Sequence, residues 1–248
     1  MNGAVIDVEN VSKSFGGVRA NRGVSLTVER GRITGLIGPN GSGKTTLFNS
    51  IVGYFPIDSG SIRFEGREIS NMKVPEIARL GLLRTFQTTR VYGKMSCMQN
   101  MQISIPHRKA GLLDMFARED AATTERAGQL LAFVGLDDKR HMRAGSLSFG
   151  QQKLLEFAMA LMNEPAVLLL DEPTAGINPT LINGLIDRLK RANTEFGITL
   201  LIIEHNMRVI MNMADFIYCM AHGELIAAGE PAAIQRDQRV IDAYLGAH

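Results

Sequence analysis

The sequence predicts an α/β fold built on a parallel sheet, and three observations predict it. The apolar run Ile33-Thr34-Gly35-Leu36-Ile37 leads into Gly38-Pro39-Asn40-Gly41-Ser42-Gly43-Lys44-Thr45 and then into an apolar-periodic segment, the order strand, glycine-rich loop, helix. Two further runs, Ala166-Val167-Leu168-Leu169-Leu170 and Ile198-Thr199-Leu200-Leu201-Ile202-Ile203, are apolar without alternation, as strands covered on both faces are. Between them lies an amphipathic helix carrying Leu181, Ile182, Leu185, Ile186 and Leu189.

Taken in chain order, residues 5–11 and 24–28 alternate apolar and polar side chains as half-buried strands do, with Gly16-Gly17 and Glu29-Arg30-Gly31 as turns beside them. After the loop, residues 46–52 form a short amphipathic helix closed by Gly53, and residues 61–69 read as a hairpin. From about residue 88 to 164 the composition favours helix and gathers Met95, Met98, Met101, Met115, Met142, Met159 and Met162, which marks an inserted helical lobe. The expected division is one domain, with a core of residues 1–87 and 165–248 around a lobe of about 88–164. Glu164-Pro165 halts the last helix of the lobe. Asn178-Pro179 supplies an N-cap and a first-turn proline to the amphipathic helix, which Gly197 ends. Strands at 216–220 and 225–228, joined at His222-Gly223, and a short helix near 240–245 complete the chain.

Length and charge narrow the function. A chain of 248 residues buries a full apolar core without outside help. Its 27 Lys and Arg against 25 Asp and Glu leave a net charge of +2, which argues against nucleic acid as the main partner. Cys97 and Cys219 stand far apart in no metal-like spacing, which argues against a disulfide framework or zinc site and fits a reducing compartment. Met1-Asn2-Gly3-Ala4 lacks the charged and apolar regions of an export signal, and the apolar runs fall far short of the roughly 20 residues that cross a bilayer. A soluble protein is expected, held to a membrane at most through partners.

The chemistry follows from three stretches. In the strand–loop–helix context, glycines let backbone N–H groups curl around phosphate oxygens at the positive end of a helix dipole. The candidate nucleotide-binding residues are therefore Gly38, Pro39, Asn40, Gly41, Ser42, Gly43, Lys44, Thr45 and Thr46, with Lys44 aimed at the β- and γ-phosphates and the Thr45 hydroxyl at Mg²⁺. The apolar run 166–170 delivers Asp171 and Glu172 to a strand end, Asp171 as a Mg²⁺ ligand and Glu172 to polarise an attacking water. Leu147-Ser148-Phe149-Gly150-Gln151-Gln152 has the S-x-x-Q spacing of a capping box, and Gly150 leaves room for an anion at the helix start. Alone, that stretch is either a second phosphate-binding end or a plain helix cap.

Together these residues resemble the ABC-type ATPases from about Val5 to Leu245. Residues 38–45 resemble the family's Walker A motif, 147–151 its signature motif and 166–172 its Walker B motif. Arg84-Thr85-Phe86-Gln87 resembles the segment ending in the Q-loop glutamine, Ala175-Gly176-Ile177-Asn178 the D-loop, and Glu204-His205 the switch histidine. Phe15 sits where the family places the ring that stacks on adenine, although core packing is the other reading of an isolated phenylalanine. Two positions depart from the pattern: Phe149 stands where the signature usually has glycine, and Asn178 where the D-loop usually ends in aspartate.

The resemblance implies a P-loop NTPase (RecA-like) core, an antiparallel β subdomain and an inserted α-helical subdomain. It implies ATP and Mg²⁺ as cofactors, Lys44, Glu172 and His205 as catalytic residues, and Thr45, Gln87 and Asp171 as metal ligands. Phe15, Gln87, Ser148, Gly150 and Gln151 join the loop as nucleotide contacts, the last three toward the ATP of a second ATPase subunit, sibling or copy, in a head-to-tail dimer. Further partners would be integral membrane permease subunits and, indirectly, a periplasmic solute-binding protein, with the chain on the cytoplasmic face of the inner membrane. Residues 88–101 would receive the permease. Within the family, the stretches 81–87, 149–152, 204–207 and 240–246 look most like the ATPases of branched-chain amino acid importers. Related urea or amide importers, a lipopolysaccharide exporter and soluble non-transport ABC ATPases remain alternatives.

Overall fold

The computed structural model of the protein describes residues 3–85, 91–105 and 121–245. Met1, Asn2, Phe86, Gln87 and Met115, named above, lie outside them, as do the first residues of the stretch 88–101 and the last of the stretch 240–246. Two compact units emerge, one of Met1–Arg84, Ala166–Pro173 and Leu189–His248, the other of Thr85–Pro165 and Thr174–Arg188. Residues 174–188 thus group with the helical unit and not with the core, because Ile177 and Leu181 pack beside Gly150 at the start of a lobe helix.

The first unit opens with β1 (Ala4–Phe15), β2 (Val18–Glu29) and β3 (Ile33–Ile37), followed by α1 (Lys44–Ile51), β4 (Ser59–Phe64), β5 (Arg67–Glu68), α2 (Val74–Arg79) and β6 (Leu82–Arg84). The second unit holds α3 (Cys97–Ile103), α4 (Ala121–Phe133) and α5 (Phe149–Leu161). Then come β7 (Val167–Asp171), α6 (Pro179–Phe196), β8 (Thr199–Ile203), α7 (Met207–Met213), β9 (Phe216–Ala221), β10 (Glu224–Gly229), α8 (Pro231–Arg236) and α9 (Gln238–Leu245). Among the described residues, β2-β1-β4-β5 form an antiparallel sheet, and a second sheet has the order β10-β9-β3-β8-β7-β6.

In that second sheet β9, β3, β8, β7 and β6 run parallel, and β10 returns antiparallel to β9. Every residue of β3, β7 and β8 is buried, which is why their sequences do not alternate. Between the sheets lies one apolar cluster to which β1 gives Val5, Ile6 and Val8, α1 gives Leu47, Phe48 and Ile51, and the parallel strands give Leu36, Leu169, Leu201 and Ile203. The turn from β9 to β10 has positive φ at both His222 (50°) and Gly223 (84°), the form that suits the twist of a two-residue hairpin.

Four short elements lie outside the sequence expectations: α2, β6, α7 and α8. α2 starts at Val74-Pro75 with the Glu76 carboxylate accepting from the Lys73 N–H at 2.9 Å. α7 is capped by Asn206, whose Oδ1 accepts from the Val209 N–H, and β6 is only three residues long. In the second unit, α3 repeats the box foreseen for Ser148: Ser96 Oγ accepts from Gln99 N, and Gln99 Oε1 accepts from Ser96 N. Its core takes Met101, Ala127, Leu131, Leu155 and Ala158, so at least one of the clustered methionines is packing material. No helix among the described residues is long and apolar enough to cross a membrane.

Candidate functional site

Adjacent parallel strands finish on the same edge of a sheet, and ligands of such sheets gather outside the carboxyl ends. Here β3, β8 and β7 are neighbours, with Leu36 and Asp171 both registered against Ile203. Their ends deliver, side by side, the loop 38–45, the pair Glu204-His205 and the pair Asp171-Glu172.

The loop is built to leave N–H groups free. α1 begins at Lys44 from a Gly43 in the left-handed region (φ 99°), with no side-chain cap and no acid in its first turn, whereas α3, α5 and α7 are each capped by a side chain. Four amides of a helix start lack internal partners, and an anion can take them. Two glycines are required by the surroundings. A Cβ on Gly38 (φ 146°) would lie 2.1 Å from the Met220 carbonyl oxygen, and one on Gly43 2.2 Å from that of Ala20. Asn21 Nδ2 donates to the Gly43 carbonyl at 3.1 Å, and Gly223 N to the Ser42 carbonyl at 3.2 Å, so β2 and the β9–β10 turn brace the loop from behind. Ser42 is buried, Pro39 and Thr46 are half-buried, and Asn40, Gly41 and Thr45 are exposed.

Lys44 folds over its own loop. Its Nζ donates to the carbonyls of Gly38 (2.8 Å) and Pro39 (2.9 Å) and to Ser42 Oγ (3.3 Å). Burial lowers its pKa, while the charges of Glu172 and Asp171 act in the opposite sense.

The two acids sit in different surroundings. Asp171 is buried, and its Oδ2 accepts from Arg84 Nη2 at 2.6 Å; burial pushes the carboxyl up and Arg84 pulls it back. Arg84 also donates to Asn49 Oδ1, and its guanidinium lies 5.7 Å from the centre of the Phe48 ring. This arginine went unassigned in the sequence; its position as a lone charge closing Gly81-Leu82-Leu83 was the available signal. Glu172 stands in the left-handed region (φ 49°), a strained setting for a side chain bearing a Cβ, and donates its N–H to the Ile203 carbonyl at 2.9 Å. Its Oε1 lies 3.5 Å from His205 Nδ1, with the imidazole about half exposed. Glu204, beside it, is fully buried.

Phe15 ends β1 with 43% of its surface exposed, its ring edge-on to Phe55 at 5.2 Å and Lys13 Nζ 5.5 Å from the ring centre, so it is no core residue. Gln87 lies outside the described residues.

In the second unit the capping box is formed as its spacing predicts: Ser148 Oγ accepts from Gln151 N at 3.3 Å and Gln151 Oε1 from Ser148 N at 3.0 Å. Both departures from the family pattern have a structural part. The Phe149 ring lies against Gly176, where a Cβ would come within 2.9 Å of Cε1, and Lys153 Nζ stands 5.5 Å from the ring centre. Asn178 Oδ1 accepts from Thr180 N at 3.0 Å and from its hydroxyl at 2.9 Å, doing an aspartate's work at the start of α6. Ser148→Ala should cost about 1 kcal/mol through the lost cap, lowering the melting temperature by about 2–4 °C, with Ser148→Asn restoring most of it; calorimetry checks both.

The sequence matches the family described as ABC transporter over residues 21–175, and the one described as branched-chain amino acid ATP-binding cassette transporter over residues 224–248. It is 38% identical to the probable branched-chain amino acid transport ATP-binding protein LivG of Archaeoglobus fulgidus, covering 98% of this chain and 96% of that one. It is 37% identical to the high-affinity branched-chain amino acid transport ATP-binding protein BraF of Pseudomonas aeruginosa, covering 99% of both. Among solved structures, the ADP conformation of MJ1267, an ATP-binding cassette of an ABC transporter, superposes with a TM-score of 0.88 at 36% identity over 98% of this chain and 99% of that one. A nucleotide-free cassette gives a TM-score of 0.86 at 35% identity, with the same coverage.

Proposed function

The chain belongs to the ABC transporter family of ATP-binding proteins, in its branched-chain amino acid transport type, and from that premise we propose that it is the ATP-hydrolysing subunit of a transporter for branched-chain amino acids. The observation that carries the reading is the convergence of the loop 38–45, Asp171-Glu172 and Glu204-His205 at neighbouring strand ends.

ATP would seat its phosphates on the uncapped start of α1, its adenine against Phe15 and its γ-phosphate within reach of Lys44 once that side chain leaves the loop carbonyls. Mg²⁺ in phosphate sites takes one or two protein oxygens and fills its shell with phosphate and water. The exposed Thr45 hydroxyl and the Asp171 carboxylate are oxygen donors of that kind, and Gln87 is proposed with them. When bound, the ion would neutralise charge on the transferred phosphoryl group. Glu172 would hold the attacking water and accept its proton, and His205 would orient Glu172 and the γ-phosphate.

We further propose that Ser148, Gly150 and Gln151 close on the nucleotide of a second ATPase subunit, and that closure drives uptake through permease subunits docked at residues 88–101. A detergent pull-down tests this. The permease of the same transport system should co-purify with the protein, and ATP turnover should be insensitive to added RNA and DNA. Nucleic-acid-stimulated turnover without permease capture would assign the motor to a soluble remodelling task.

A further inference from the structure

We propose that Tyr244, in the last turn of α9, is a positioning residue of the nucleotide site that fixes the first peptide of the phosphate loop through its hydroxyl. This rests on the proposed nucleotide-binding reading.

Three observations carry it. The Tyr244 hydroxyl accepts a hydrogen bond from the Gly38 N–H at 2.9 Å, across 206 residues of sequence. The Gly38 carbonyl accepts from Lys44 Nζ at 2.8 Å. The peptides on either side of Gly38 are thus pinned by different groups, the earlier by the phenol and the later by the lysine. Between them Gly38 is the one rotatable point, at φ 146° and tight against the Met220 carbonyl.

Tyr244 is delivered by a docked helix. Val240, one turn earlier on the same face, is buried, and Asp237 holds the start of α9 by accepting from the Arg239 N–H at 2.9 Å. Burial pushes the phenol up to about 12, so the hydroxyl keeps its proton throughout the working pH range.

The bond acts on the chemistry indirectly. The Gly38 N–H faces the phenol, so it is not one of the amides left for phosphate. What Tyr244 sets is the direction in which the loop leaves β3 and the place where the Gly38 carbonyl holds Lys44. With the phenol gone, the Gly38 N–H is left unpaired, and the peptide is free to turn about a glycine that has no side chain to stop it. The prearranged loop becomes one conformation among several, and nucleotide affinity falls by the fraction that is lost.

Tyr244→Phe is the test, since it keeps the ring and removes only the hydroxyl. Fluorescent-ADP titration should show binding about 3- to 10-fold weaker, and hydrogen exchange should show the Gly38 amide exchanging at least about 10-fold faster, with β8 amides unchanged. Tyr218→Phe, which removes a phenol bonded to Thr27, is the control and should change neither reading. In the parent protein, added ADP should slow exchange across residues 238–245, because coupling between helix and loop is reciprocal. A Tyr244→Phe protein with parental ADP affinity and a still-protected Gly38 amide would overturn the inference. If the parent bound no ADP, the nucleotide reading would fail, and Gly38 exchange would still decide the role of the hydroxyl.

Discussion

Glu172→Gln should lower ATP turnover by about 10²–10⁴-fold, the usual contribution of a general base, while leaving nucleotide binding intact. The amide keeps the length and shape of the side chain, so the strained backbone at φ 49° and the contact toward His205 survive. What would be lost is the carboxylate proposed to take a proton from the attacking water. Asp171 cannot substitute, because it is buried and engaged by Arg84. Phosphate release and fluorescent-ATP binding measure the two halves of the expectation. Light scattering adds a third, since a subunit that binds ATP without cleaving it should accumulate as a closed dimer. Parental turnover in this variant would remove Glu172 from the role.

Arg84→Met should be the most destabilising of these changes. It strips the partner from a carboxylate whose side chain is 1% exposed, and it leaves Asn49 without its donor. Breaking a buried ion pair by removing one member costs about 3–5 kcal/mol, because the other charge stays uncompensated. For a chain of this size that corresponds to a melting temperature lower by about 6–20 °C. The pair itself need not stabilise, since apolar residues of similar volume often replace such pairs at little cost. Arg84→Met combined with Asp171→Leu should therefore regain most of the lost stability without regaining turnover. Urea midpoints of the parent, both single variants and the double variant give the coupling directly. Additive losses would mean that the two side chains do not depend on each other.

What the sequence made legible was what is encoded locally. β3, β7 and β8 announced themselves because strands buried on both faces carry no polar alternation, and the Ser148 cap because its two partners are three residues apart. The same local spacing stands at Ser96 and Gln99, and the first-turn proline of α2 and the Asn206 cap of α7 are equally local signals. Arg84 against Asp171 spans 87 residues, and Tyr244 against Gly38 spans 206, so neither contact leaves a pattern in any window of sequence. Glu204 was read only through its histidine neighbour, yet it is fully buried. Periodicity reports on faces of elements, and Glu204 lies just past the end of one.

The braces behind the phosphate loop have a consequence for how the protein is made. Residues 38–45 leave the ribosome early, but the carbonyl of Met220, the amide of Gly223 and the phenol of Tyr244 follow only about 175 to 200 residues later. At bacterial or eukaryotic elongation rates the delay is roughly 10–40 s. β3 waits as well, since its neighbours β8 and β9 are both made after residue 198. A nascent chain therefore carries the complete motif long before the groups that brace it exist, so the loop takes its final form only late in synthesis.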